Sequence, residues 1–248
     1  HLLKLPFQND HNALNRAFYN ELLYIMGVEE VTEDKVKKIK RLKTKRQPYS
    51  QVEQAISHLD GYDLYEEQAI FDTALGLVLN WTNRLLFLKL LESQLLAFNK
   101  GAFTKFLTIS IIPDYDVLND LFMKVLAVPV DHREDEFRET FKDVPYLNSS
   151  LFEKSAMEKK FFPISGIRLG SMEVMNQTAI KDNNGKRFKG SLSTLEYLFR
   201  FLDAYDFGIE KQGADRLLQQ ESKTIINASV LGKIFEKING YKDGSFFT

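Results

Sequence analysis

The feature that most constrains the fold is an unusually apolar segment, from about residue 65 to residue 99, whose hydrophobic residues recur with helical spacing. A helix that is apolar on most sides must be surrounded by other elements of the protein. We therefore expect one long central helix, or two joined near Gly76, since glycine costs about 1 kcal/mol relative to alanine in a helix. Within this segment, Arg84, Lys89 and Glu92 are expected to form structural ion pairs.

Shorter amphipathic segments on both sides of the central segment complete the expected helical fold. Residues that favour helix starts, such as Asp10, Ser50 and Ser193, precede several of them, and glycines that favour helix ends follow some. We expect helices over residues 10–27, 50–61, 116–128, 134–141, 193–205 and 227–239.

The hydrophobic periodicity shortens between Phe161 and Gly190. Residues 161–164 are typical of extended chain, and the sequence Asp-Asn-Asn-Gly at 182–185 is typical of a turn between two short strands. The sequence therefore predicts a mainly α fold: a multi-helix domain with a long central apolar helix and a small β insertion near residues 161–190.

Composition excludes several classes of protein. The chain has no cysteine, so neither a disulfide framework nor a thiolate metal site can form, and we expect a cytoplasmic protein. The most apolar stretch, residues 74–81, is far shorter than the roughly 20 apolar residues of a membrane span, so we expect no membrane partner. The net charge is −1, and any electrostatic recognition must therefore be local.

One basic run supplies such a local field. Eight cations and no acid occupy the twelve positions 35–46, and because like charges repel in water, a polyanion is their natural partner. Val36, Ile39 and Leu42 recur at a spacing of three, which indicates that one side packs on the protein while the other presents cations. We predict contacts with DNA phosphates, with a solvated surface loop as the alternative. The predicted DNA-binding residues are Lys35, Lys37, Lys38, Lys40, Arg41, Lys43, Lys45 and Arg46.

Four stretches carry a family resemblance when their order and spacing are taken together: residues 80–92, 144–153, 195–202 and 231–248. They resemble segments of the fused bacterial restriction–modification enzymes, which join an endonuclease to an adenine-specific DNA methyltransferase. The resemblance implies that residues 1–226 are a helical connector and that residues 227–248 begin the methyltransferase domain. Ser149 and Ser150 stand where that family typically has glycines, which questions a turn with positive φ at this point.

The C-terminal segment Gly244, Ser245, Phe246, Phe247 and Thr248 resembles the G-x-F-[YF]-T-P pattern that borders the cofactor pocket in that family. The resemblance implies that these five residues bind S-adenosylmethionine in the parent enzyme. Because the chain starts without Met and stops before the proline, we expect an interior fragment. An incomplete pocket implies no cofactor in the fragment, with S-adenosylmethionine and Mg²⁺ as cofactors of the parent.

Signatures of either catalytic activity are absent from the sequence. It has no N-P-P-[YF] or D-P-P-[YF] loop for adenine, and no [DE]-x-K strand follows Pro113. We expect Asp114 and Asp116 to cap a helix instead. The four histidines lack the i, i+4 spacing of a helical metal site, and we expect residues 131–136 to be solvated. We therefore predict no catalytic residue and no metal site in this chain.

These expectations define two hypotheses for function. In the first, the chain is a non-catalytic connector that holds the flanking nuclease and methyltransferase domains at a fixed separation and touches the DNA backbone. In the alternative, it is a protein-docking helical module of a multi-subunit, type I-like restriction complex. A basic groove at the run of cations would favour the first hypothesis, and a contiguous exposed apolar patch would favour the second.

Overall fold

The computed structural model describes residues 15–33, 35–99, 103–207 and 224–240. Within these residues the chain is mainly α, with eight α-helices and two small two-stranded sheets, which confirms the predicted fold class. The helices are α1 (Arg16–Met26), α2 (Gln51–Leu59), α3 (Glu67–Phe98), α4 (Tyr115–Asp120), α5 (Asp135–Thr140), α6 (Ala156–Lys160), α7 (Thr194–Asp203) and α8 (Ala228–Gly240). The strands are β1 (Val28–Glu33), β2 (Val36–Arg41), β3 (Ser171–Glu173) and β4 (Ser191–Ser193).

The central helix α3 is one continuous helix of 32 residues, which is the first of the two arrangements expected from the sequence. Gly76 does not interrupt it, because Gly76 and the adjacent Leu77 and Val78 are buried and their packing outweighs the low helix propensity of glycine. Helices α2, α6 and α8 pack against α3. By length and composition α3 could cross a membrane, but 72% of its most apolar window is buried inside the protein, as is typical of a core helix.

Helix α1 ends where the sequence predicts and begins with a different cap. Gly27 follows it with a φ of 91°, and its amide donates to carbonyls of the last turn. A side chain at this position would collide with Ser50, whose Oγ would lie 2.3 Å from an added Cβ. At the other end, Asn15 caps the amide of Phe18 at 2.9 Å, whereas the expected cap Asp10 lies outside the described residues.

Aromatic side chains join α1 to the end of α7. The ring of Phe18 stacks on Phe201 and meets Tyr205 edge-on, with 4.9 Å between centroids in both pairs. Such pairs contribute about 0.5–1.5 kcal/mol beyond the area that they bury. The two helices are therefore in direct contact through these rings.

The predicted β insertion is confirmed, with a small shift at its end. Strands β3 and β4 pair antiparallel, from Ser171 opposite Ser193, so the second strand lies just beyond residue 190. Between them, Gly185 has a φ of 73° and donates its amide to the Asp182 carbonyl at 3.0 Å. The predicted Asp-Asn-Asn-Gly turn is therefore present.

A buried ion pair joins α3 to α6. Arg84 donates from Nη1 and Nη2 to the two carboxylate oxygens of Glu158 at 2.6 and 2.8 Å, and Trp81 Nε1 donates to the same carboxylate at 3.0 Å. Two of the three remaining guanidinium hydrogens reach the carbonyls of Leu151 and Glu153 at 2.6 and 2.7 Å. The Arg84 and Glu158 side chains are 1% and 0% exposed, which confirms a structural pairing for Arg84.

Glu158 stays ionised in this buried position. Burial raises its pKa, but the hydrogen bonds and charge of Arg84, together with hydrogen bonds from Ser155, outweigh burial and hold the pKa below its ordinary value of 4.5. Ser155 and Glu158 also form a reciprocal capping box, in which each amide donates to the other side chain, at 2.9 and 3.2 Å. One carboxylate thus caps α6 and neutralises Arg84.

A second polar network joins α3 to α7. Lys89 pairs with Glu92 one turn along at 2.8 Å and with Asp203 of α7. The other oxygen of Glu92 accepts the amides of Phe106 and Leu107, both at 2.8 Å. The expected structural pairing of Lys89 and Glu92 is confirmed.

Two sequence questions about loops are also answered. Asp114 accepts a hydrogen bond from the amide of Val117 at 2.8 Å and so caps α4, as expected, while Asp116 lies in the first turn. Ser149 has a φ of −140°, so no left-handed turn is required where the resembling family has glycine.

Candidate nucleic-acid interface

The basic run forms the second strand of a β-hairpin and the loop that follows it. Strands β1 and β2 pair antiparallel from Val28 opposite Arg41 to Glu33 opposite Val36. Because successive side chains of a strand point to opposite faces, a spacing of three does not place residues on one side. Ile39 is 6% exposed and Val36 is 37% exposed, so the prediction that Val36, Ile39 and Leu42 pack on a common side is wrong.

Glutamates from neighbouring elements neutralise four cations of the run. On the hairpin, Lys37 pairs with Glu30 at 3.2 Å, and Glu33 pairs with Lys38 at 3.5 Å and also with Lys40. Arg41 makes a two-pronged contact with Glu53 of α2, with Nε and Nη2 at 2.6 and 2.5 Å from the carboxylate oxygens. The run contains no acid in sequence, but in the fold three glutamates, Glu30, Glu33 and Glu53, lie against four of its eight cations.

Two pKa shifts accompany these contacts. A hydrogen bond from Lys40 is the main cause of a lowered pKa for Glu33, with further contributions from the charge of Lys40 and from Lys38. A hydrogen bond to Glu53 is the main cause of a raised pKa for Arg41. Glu33 and Arg41 therefore both keep their charge at neutral pH.

The other four cations of the run are exposed, and no carboxylate pairs with them among the residues that the structure describes. The amide of Lys43 donates to Glu29 at 3.0 Å, which fixes the backbone of the loop while leaving the lysine side chain in solvent. Arg46 Nε donates to the Leu42 carbonyl at 2.6 Å, and other donors of its guanidinium remain available. These unpaired cations are Lys35, Lys43, Lys45 and Arg46.

Two of the unpaired cations have an unusual backbone conformation. Lys35 and Lys45 have φ values of 66° and 56°, and they are the non-glycine residues with positive φ in the described part of the chain. This region favours glycine or asparagine, and a side chain held there costs on the order of 1–3 kcal/mol. Both left-handed positions are therefore filled by a residue type that local backbone geometry disfavours.

A groove of about 750 Å³ lies between the hairpin, the loop after β2 and the first turns of α3. We call it the hairpin groove. Its basic wall contains paired and unpaired cations, and Glu67 and Asp72 contribute acidic groups from α3. The cationic lining residues are Lys38, Lys40, Arg41, Lys43 and Arg46.

The remaining predicted site residues lie elsewhere. Residues 244–248, the predicted cofactor-binding segment, fall outside the described residues. Within residues 131–136, Arg133 is buried and donates to the carbonyls of Phe141 and Val144, whereas its neighbours are exposed as predicted. In the part of the chain that the structure describes, no group of three or more His, Asp or Glu side chains is arranged to hold a metal ion.

Comparison with known proteins yields one match. Residues 11–226 match the family described as a domain of unknown function (DUF7814). No curated protein and no solved structure matches the chain.

Proposed function

Because the chain belongs to the DUF7814 family, whose match covers most of its length, we propose a function from its own residues. We propose that it is a non-catalytic helical connector of a restriction–modification enzyme. In this role it positions the nuclease and methyltransferase domains and contacts the DNA backbone. Most of the phosphate contacts are made by the four unpaired cations, Lys35, Lys43, Lys45 and Arg46.

The observation that carries the DNA contact is the pair of left-handed lysines. If a loop only reverses the chain direction, glycine or asparagine is the most favourable residue at positions with positive φ. Lys35 and Lys45 instead occupy them at an energetic cost and extend into solvent without a described carboxylate partner. Positive charge is the property that these residues add, and phosphates are the group that such charge attracts.

The connector role is supported by the way α3 links distant parts of the chain. A helix of 32 residues is about 48 Å long at a rise of about 1.5 Å per residue, and its buried packing makes it a stiff spacer. Helix α8 packs on α3, and Lys237 of α8 pairs with Glu30 of the hairpin at 2.7 Å. A segment that continues from α8 would therefore be oriented relative to the hairpin groove.

The end of the family match supports the proposed boundary between connector and methyltransferase domain. The match ends at residue 226, which is where the resemblance to the fused enzymes divides connector from methyltransferase. Helix α8 begins two residues later, at Ala228. Together these features support a connector that ends at the start of α8.

The docking alternative receives less support. The most exposed large apolar residues of the described chain, Tyr65 at 88% and Phe98 at 73%, flank opposite ends of α3. They are therefore separated by about 48 Å, the length of that helix, and cannot belong to one compact patch. A docking surface of the usual kind would be contiguous.

The DNA contact is tested by two matched triple variants. Replacing the unpaired Lys43, Lys45 and Arg46 by alanine should weaken binding to duplex DNA and lower the slope of log K against log salt by about 0.9 for each lost phosphate contact. The control variant removes three paired cations, Lys37→Ala, Lys38→Ala and Lys40→Ala, and should change the slope less. Equal slopes in the two folded variants and the wild type would reject the proposal.

A further inference from the structure

A second cavity adjoins the hairpin groove and has no role in the function proposed above. It measures about 530 Å³ and is lined by the exposed side of α2, by loop residues before α2, and by Gly166 and Arg168. We call it the α2 pocket. Glu53 lines the α2 pocket and Arg41 lines the hairpin groove, and these two side chains are hydrogen-bonded, so this ion pair joins the walls of the two cavities.

The walls of the α2 pocket are fixed by hydrogen bonds between distant segments. Gln54 of α2 donates to the Pro48 carbonyl at 2.8 Å and accepts from the Arg168 amide at 3.3 Å. The carbonyl of Tyr49 accepts a hydrogen bond from the Thr194 hydroxyl at 2.7 Å. The loop, α2 and the segment around Arg168 are thus joined around the cavity before any ligand binds.

Tyr49 presents an aromatic ring at the pocket. The ring packs on the backbone of Gly170, because an added Cβ there would lie 2.0 Å from Tyr49 Cδ1. The residue nevertheless remains 38% exposed. An aromatic ring supported on one side and open on another can stack against a planar ligand without first losing rotamer freedom.

The charges at the pocket suit an anion. The exposed Arg168 has no carboxylate partner among the described residues. Glu53, the acid in the wall, is already engaged by two hydrogen bonds from Arg41, which offsets its repulsion of an anion. His58 also lines the pocket, and its ring is held in place by packing on Phe162 with 4.2 Å between centroids.

We propose that the α2 pocket binds one unpaired nucleotide of a DNA strand whose phosphates follow the hairpin groove. The base stacks on Tyr49 and a phosphate binds Arg168. Arg46 and Tyr49 are three residues apart and so within about 11 Å of each other along the chain, which makes the loop a continuous path between the two cavities. This inference rests on the proposed DNA contact and adds that the preferred ligand contains a base outside a duplex stack.

Fluorescence anisotropy with a labelled single-stranded oligonucleotide tests the pocket. Tyr49→Leu should lower affinity about tenfold without changing the salt slope, because stacking carries no charge. Arg168→Gln should lower the slope by about 0.7, the value for one phosphate contact on a single strand. The control Tyr146→Leu removes a tyrosine of nearly equal exposure, 39%, outside the pocket and should bind as the wild type does.

An oligonucleotide with abasic positions separates base from phosphate. The wild type should bind it about tenfold more weakly than the normal oligonucleotide, since the sugar-phosphate chain offers no ring to stack. Tyr49→Leu should bind both equally. Tyr49→Phe keeps the ring and its packing on Gly170, so it should retain wild-type affinity. If it does, the loss of affinity in Tyr49→Leu comes from the loss of stacking.

The outcomes separate this inference from the proposed function. If folded Tyr49→Leu and Arg168→Gln variants bind both oligonucleotides as the wild type does, with the same salt slope, the α2 pocket is not a nucleotide site even though the chain binds DNA. If the wild type binds neither oligonucleotide nor duplex at low salt, both the inference and the proposed DNA contact are wrong.

Discussion

The chain contains two sets of ion pairs that differ in their exposure to solvent. The pair of Arg84 and Glu158 is buried, and five further hydrogen bonds from or to neighbouring groups surround it. The pairs of the hairpin, such as Lys38 with Glu33, have side chains that are 50% and 36% exposed. Water and other ions cannot reach the buried pair, whereas they can reach the exposed pairs.

This difference in solvent exposure determines how much each pair contributes to stability. Removing one partner of a buried pair leaves a charge without solvent or counter-charge, which is strongly unfavourable. Exposed pairs contribute little to stability and are screened by salt, so breaking one of them should change the free energy of unfolding only slightly. The buried and exposed pairs should therefore respond differently to substitution.

The largest expected effect follows from breaking the buried pair. Glu158→Ala leaves Arg84 charged inside the protein and should reduce the free energy of unfolding by about 3–5 kcal/mol. The double variant Arg84→Met, Glu158→Leu removes both charges and should lose less. Urea denaturation of the two variants checks this order, and a loss below about 1 kcal/mol in Glu158→Ala would mean that the pair is not buried as described.

The contribution of the buried pair should also appear in the pH dependence of stability. Because the pKa of Glu158 is lowered in the fold, its contribution is fully present above its unfolded value, near 4.5, and is lost as pH falls through the lower folded value. The unfolding free energy should therefore decline more steeply with acid in the wild type than in Glu158→Gln. Parallel pH profiles for the two proteins would argue against the lowered pKa.

The sequence predicted the elements whose signals are local. The continuous apolar periodicity of α3 and the Asp-Asn-Asn-Gly turn at 182–185 each depend on residues close together in the chain. The hairpin was missed because its apolar residues, Val28 and Val31 on one strand and Val36 and Ile39 on the other, are three apart and do not alternate. Without alternation, a strand has no periodic signal.

The candidate site was predictable only in part for the same reason. The eight cations are visible in the sequence, but the division into paired and unpaired ones depends on Glu30 and Glu33 across the hairpin and on Glu53 of α2. Tyr49 and Arg168 are 119 positions apart in the chain and meet at one pocket only after folding. Contacts at such separations leave no pattern in a single sequence.

A smaller effect is expected from the exposed hairpin pairs. Replacing Lys38 and Lys40 by alanine should leave the urea midpoint nearly unchanged, because exposed pairs are weak and the two lysine side chains are 50% and 37% exposed. The loss should be much smaller than that of Glu158→Ala. A comparable loss would show that the two sets of ion pairs do not differ as described.

The most direct test of the account concerns the two left-handed lysines, Lys35 and Lys45. Glycine suits their backbone conformation, so the double variant Lys35→Gly, Lys45→Gly should be as stable as the wild type or more stable, by up to about 1 kcal/mol. If the lysines serve DNA binding, the same variant should bind duplex DNA more weakly, with a salt slope lower by up to about 1.8 for two lost phosphate contacts. Unfolding and salt-dependent binding measured on one preparation give both quantities. Reduced stability together with unchanged affinity and slope would contradict the account.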